Sequence, residues 1–99
     1  MTKVILRREA INDLTDIWNY TLYKWSEKQA DKYYQKIKLA CKSIGENPSL
    51  GKSYPEISKH LLGLKCEKHI IFYCQISNSE IEIIRILHGR MDLKRRINE

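Results

Sequence analysis

Four side chains in the second half of the chain could take part in phosphodiester chemistry: Lys65, Arg85, His88 and Arg90. Cutting RNA by attack of a 2′-hydroxyl needs a general base, a general acid and cations that stabilise the charge building on the phosphate. His88 offers the imidazole and the other three offer the cations. Each also has a plainer reading. His88 stands just before Gly89, where a histidine more often hydrogen-bonds nearby backbone, and Arg85 alternates with Ile83 and Leu87 on one strand face. Arg85 therefore either pairs with an acidic neighbour such as Glu67 or faces a binding surface. The densest run of cations is Arg90-Met91-Asp92-Leu93-Lys94-Arg95-Arg96. Taken as a contact surface, Arg85, His88, Arg90, Lys94, Arg95 and Arg96 would meet an anionic macromolecule, since a basic patch speeds such encounters. Asp92 places a negative charge where a phosphate would approach. No aromatic interleaves the run to stack on bases, so direct reading of a nucleic acid is disfavoured. The alternative is a solvated helical face.

Metal chemistry has little support. Cys41, Cys66 and Cys74 are an odd set without C-x-x-C spacing, and His60, His69 and His88 have no ligand spacing relative to them. No metal or other cofactor is expected, and unpaired thiols suit a reducing compartment. Trp18, Trp25, Tyr33 and Tyr34 recur at helical spacing. They are most simply core aromatics, and any left exposed is a candidate for contact with a partner.

The elements that must position these groups centre on residues 69 to 92. Two runs rich in β-branched and aromatic residues, His69–Ile76 and Glu80–Leu87, flank Ser77-Asn78-Ser79, the composition of a β-hairpin. Upstream, Lys3–Arg7 reads as a strand. From Arg8 to Trp25 the positions Ala10, Leu14, Ile17, Trp18, Thr21, Leu22 and Trp25 mark the buried stripe of an amphipathic helix. Ser26-Glu27-Lys28-Gln29 reads as a capping box opening a second helix, with Ala30, Tyr33, Tyr34, Ile37, Cys41 and Ile44 inward. Gly45 and Asn47-Pro48 supply its stop signal. Residues 45–59 hold both prolines and two glycines and read as a surface loop with room for a short helical turn. Leu61–Glu67 is a further strand, and Arg90–Ile97 a short basic tail or helix docked by Met91 and Leu93 or Ile97. The order β-α-α-β-β-β predicts an α+β fold: an antiparallel sheet with a helical hairpin on one face and the other face open to a partner.

Ninety-nine residues, 42% hydrophobic and 30% charged, fit one soluble globular domain spanning residues 1–99. The net charge of +6 points to an anionic partner. No run reaches the roughly 18 apolar residues of a membrane span. The charged start, Met-Thr-Lys-Val-Ile-Leu-Arg-Arg-Glu, is unlike a signal peptide. A cytoplasmic location without membrane contact is expected.

Four segments in order, Ala10-x-x-Asp13-Leu14-x-x-Ile17-Trp18-x-Tyr20-Thr21, Asn47-Pro48-x-x-Gly51, His69-Ile70-Ile71-Phe72-Tyr73 and Ile84-Arg85-Ile86-Leu87-His88-x-x-Met91-Asp92, resemble the ParE branch of the ParE/RelE toxins. The resemblance implies a bacterial toxin of a type II toxin–antitoxin pair, held inactive in a hetero-oligomer by a small acidic antitoxin that is partly disordered when free. ParE-like members poison DNA gyrase and arrest growth; RelE-like members cleave mRNA on the ribosome. RelE-like nucleases close with basic residues and then an aromatic, where this chain has Leu93. The gyrase reading therefore leads, with no catalytic residue. The alternatives are a ribosome-dependent endoribonuclease built on Lys65, Arg85, His88 and Arg90, and an inactive homologue that only binds antitoxin. The antitoxin is expected to wrap the toxin, adding to a sheet edge and lying beside the helical hairpin, with Trp18, Trp25, Tyr33 and Tyr34 as its contacts.

Overall fold

A computed structural model describes residues 2–98. The elements follow in the order β1 (Lys3–Leu6), α1 (Arg8–Lys24), α2 (Glu27–Glu46), a 3-10 turn (Pro48–Leu50), β2 (Lys52–Ser53), β3 (Leu62–Cys66), β4 (His69–Ser77), β5 (Glu80–His88) and α3 (Leu93–Ile97). This is the expected α+β order, with one short strand added where a loop was expected. The hairpin between β4 and β5 turns on Asn78-Ser79, so Ser77 belongs to the strand.

The five strands lie in the order β1-β5-β4-β3-β2. All neighbours are antiparallel except β1, which runs parallel to β5 with Lys3 opposite Glu80 and Leu6 opposite Ile83. The sheet is thus mixed rather than wholly antiparallel. Both helices and the strands β2 to β4 lie between β1 and β5 in sequence, a connection long enough for parallel pairing, which a tight turn does not allow.

Between α1 and α2 there is almost no linker. The Ser26 hydroxyl accepts from the Gln29 N–H at 3.1 Å and satisfies one of the orphan donors at the start of α2. Gly45 does not end α2, which runs on to Glu46 and stops before Pro48. A Cβ at Gly45 would sit 2.7 Å from Val4 Cγ2, so the residue is there to let α2 cross close over β1. Tyr73 fastens the segment that follows. Its hydroxyl donates to the Pro48 carbonyl at 2.7 Å and accepts from the Gly51 N–H at 2.8 Å. A Cβ on Gly51 would lie 2.5 Å from that oxygen.

The main core packs Ala10, Ile37 and Ile44 of the helices onto Ile71, Tyr73, Ile81, Ile83 and Ile86 of the sheet. The opposite face is not open, as the sequence had suggested. Ile70, Phe72, Ile84 and Leu87 form a second cluster there with Leu61, covered by Tyr54 and Ile57 from the loop and by Leu93 and Ile97 from α3. The physical reason is visible in Ile70-Ile71-Phe72-Tyr73 and Ile83-Ile84, unbroken apolar runs that put large side chains on both faces of a strand. Each such side chain contributes about 1.5–3 kcal/mol only if it leaves water. Further along that face Ile76 remains exposed.

The helical stripe also needs correction at its end. Ala10, Leu14, Ile17 and Thr21 face the sheet, but Leu22 and Trp25 are exposed. At about 100° per residue Leu22 lies well round the helix from the centre of that stripe, and Trp25 comes after the last helical residue.

Candidate functional site

Arg85 is held on several sides. β4 and β5 slip register between Phe72 and Tyr73, which face Arg85 and Ile83, leaving Ile84 as the extra residue of a bulge. Past that bulge Arg85 reaches Asp13 on α1. Its Nε donates to Asp13 Oδ2 at 2.8 Å and its Nη2 to Asp13 Oδ1 at 2.9 Å. β1 ends opposite Ile83, so the Ile86 N–H lies beyond its reach, and Asp13 Oδ2 accepts that donor too at 3.0 Å. Arg85 Nη1 donates to the Arg96 carbonyl of α3 at 2.8 Å. The two side chains are only 14% and 12% exposed. Of the two readings of Arg85 it is the ion pair that is present, with Asp13 as its partner rather than Glu67. Glu67 instead pairs with Lys36 at 2.8 Å on the surface, and that lysine holds its carboxyl below the usual range.

His88 sits where β5 ends. Its Nδ1 accepts from the Arg90 N–H at 3.1 Å, the backbone task the plainer reading assigned to it. Across the sheet it faces His69, with the rings edge to face at 5.3 Å. The Tyr33 hydroxyl accepts from the Lys68 N–H at 3.3 Å and is hydrogen-bonded to His69 Nδ1 at 2.7 Å. Burial pushes the His69 imidazole down to about 4, and repulsion from His88 adds to this. Burial also raises Tyr33 above the ordinary phenol range, against the Lys68 donation. Of the three free cysteines Cys41 is pushed furthest, up to about 11 by burial and by Cys66, which keeps it a thiol.

The tail leaves the sheet at Gly89, whose N–H donates to the Lys68 carbonyl at 3.0 Å. That bond brings the β3–β4 turn, and Lys68 with it, beside Arg90. Asp92, read from sequence as a charge in the way of a phosphate, caps α3 by accepting from the Arg95 N–H at 3.2 Å. Leu93 and Ile97 dock α3, whereas Met91 stays exposed. Arg90, Lys94, Arg95 and Arg96 are exposed along this segment. Lys65 is exposed on β3 opposite Ile70, whose other neighbour is Leu87, so it shares the sheet face that α3 covers. Sequence reasoning missed Asp13 and Lys68, since only the fold shows what lies beside Arg85 and Gly89. Of the four nuclease candidates, Arg85 serves Asp13 and α3, and His88 Nδ1 serves backbone.

The four aromatics expected to meet an antitoxin occupy three settings. Trp18 and Tyr34 stack edge to face at 6.0 Å. With Ile11, Leu14, Thr15, Asp31 and Gln35 they line a groove of about 410 Å³ between α1 and α2. Trp25 lies 71% exposed at the helical elbow, near the exposed Tyr20, Leu22 and Tyr23. Tyr33 turns away to His69. Among the described residues no helix is long and apolar enough to cross a membrane.

Comparison with known sequences decides the family. The sequence model of the ParE toxin of the type II toxin–antitoxin system, parDE, matches residues 4–93. The chain belongs to the ParE toxin family. It is 34% identical over 99 residues to the toxin ParE of Escherichia coli, covering 98% of this chain and 94% of that one. It is 29% identical over 96 residues to the toxin ParE1 of Mycobacterium tuberculosis, covering 97% and 98%. A solved structure titled as the chromosomal ParDE TA system from P. aeruginosa shares the fold, with a TM-score of 0.76 at 22% identity over 89% of this chain and 96% of that chain. This is a ParE-type toxin of a toxin–antitoxin system, and ParE membership implies an antitoxin partner. The family match ends at Leu93, so Lys94, Arg95 and Arg96 lie beyond it.

Proposed function

We propose that this ParE-type toxin inhibits DNA gyrase by binding rather than by bond cleavage, meeting its target through the cationic segment of Arg90, Lys94, Arg95 and Arg96 beside His88. The observation that carries this reading is the placement of charge. The exposed cations project from a segment anchored at both ends, while Arg85 is taken up by Asp13 and the Arg96 carbonyl, and the Nδ1 of His88 by the Arg90 N–H. A short acidic antitoxin, partly disordered when free, neutralises the toxin. It lays an apolar helix face along the Trp18–Tyr34 groove and extends past Trp25, where exposed aromatics supply contact area at low entropic cost.

The test is a supercoiling reaction with purified gyrase, relaxed plasmid and the purified chain. Inhibited supercoiling or trapped cleavage complexes are expected, reversed by the antitoxin. Reversing Lys94 and Arg95 to glutamate raises the concentration needed by about tenfold, as expected when like charges oppose at a contact. Unchanged supercoiling at stoichiometric excess overturns the reading.

A further inference from the structure

The cationic helix α3 has only five residues and two apolar anchors. Helices shorter than about 12–15 residues are marginal in water, so its orientation is set by what grips its ends. Asp92 caps the first turn. At the far end the Arg96 carbonyl accepts from Arg85 Nη1 at 2.8 Å, while the same guanidinium is clamped by two bonds to Asp13. Asp13 is fixed in turn by the Ile86 N–H at 3.0 Å.

We infer that Asp13 and Arg85 are positioning residues for the target-binding segment: a clamp from α1 through β5 that sets the direction in which Lys94 and Arg95 are presented. What the segment meets rests on the gyrase reading; how it is held does not. Arginine is required because its planar fork gives donors to the carboxylate and the carbonyl at once, whereas a lysine ammonium holds one well and lacks the fixed geometry for both. A partly buried ion pair alone is weak grounds for more than local structure. The third bond, to a cationic segment, distinguishes this pair.

Two variants of the full chain test the clamp. Arg85→Lys keeps the charge and one bond to Asp13 but loses the bond to Arg96. The α3 amides of Arg96 and Asn98 are expected to exchange with solvent about fivefold faster, the worth of one net hydrogen bond, while amides of β4 keep their protection. Asp13→Asn is expected to act in the same direction, and Asp13→Glu to restore more protection than Asp13→Ala. The concentration of Arg85→Lys chain that half-inhibits gyrase rises by a comparable factor, with antitoxin affinity unchanged. Unchanged α3 exchange, or loss of protection shared equally by β4, overturns the clamp. Faster α3 exchange with undiminished inhibition overturns its role in presenting the cations. If the unsubstituted chain fails to inhibit gyrase, the target reading falls, and the exchange measurements still decide whether Arg85 holds α3.

Discussion

At the scale of single residues, His69 is expected to contribute to the molecule's response to acid. Its imidazole titrates near 4 in the folded chain against an ordinary value of 6.5. Between those values the unfolded chain takes up a proton that the native site refuses, so stability falls as pH falls through that window and is untouched above it. The full shift corresponds to about 3 kcal/mol, and partial exposure reduces this to on the order of 1–2 kcal/mol. His69→Gln, which keeps an acceptor for Tyr33, is expected to flatten that part of the curve in urea unfolding across the window. A parallel curve would show that His69 contributes nothing to acid sensitivity. Tyr73 carries a second prediction. Tyr73→Phe strands the Gly51 N–H and the Pro48 carbonyl and is expected to cost about 1–3 kcal/mol, read as a lower urea midpoint at constant slope. Arg85 shows the limit of reading residues from sequence. That it would either find an acid or face a binding surface was legible from its place on the strand. That the acid would be Asp13 was not, because nothing in the linear pattern links a position on the first helix to the last strand.

At the scale of elements, α1, α2 and the β4–β5 hairpin were plain in the sequence because their periods and their turn or cap residues agree, whereas α3 was read as a tail or helix. The second apolar cluster was written there too, in the continuous runs Ile70–Tyr73 and Ile83–Ile84, but such runs do not say what covers them. The direction of β1 was illegible, since a strand's sequence looks the same whichever way its neighbour runs. The covering role of α3 can be weighed against the main core. Leu93→Ala with Ile97→Ala is expected to cost about 1–2 kcal/mol in total, because both side chains are only partly buried, against about 3–4 kcal/mol for Ile37→Ala in the helix-covered core. Urea unfolding of the two variants checks the order. The double variant should also bind more of a dye for exposed apolar surface than the unaltered chain.

Across the whole molecule two surfaces of different physics stand apart. One is the groove and elbow of the helical hairpin, apolar and aromatic; the other is the cationic end formed by Lys68, Arg90 and α3. Salt separates them. The screening length falls from about 10 Å at 0.1 M to about 3 Å at 1 M, which weakens contacts between exposed charges far more than apolar burial. Raising salt is therefore expected to weaken binding through the cationic end while leaving the antitoxin complex nearly intact. Equal loss of both in a titration of affinity against salt would contradict this division. The net charge and the cationic run Arg90–Arg96 were legible in the sequence; that Lys68 joins them came only from the bond that ties the β3–β4 turn to Gly89.

The pairing of β1 with β5 also bears on how the protein is made. Val4, Ile5 and Leu6 find their hydrogen-bonding neighbours only in Ile81, Glu82 and Ile83, nearly a full chain length away. During translation the opening strand emerges first and waits for the closing one, and assembly is slowed by so distant a pairing. A product released early from a damaged message lacks the closing strand, so its opening strand never acquires a neighbour and the helices have no completed sheet to cover.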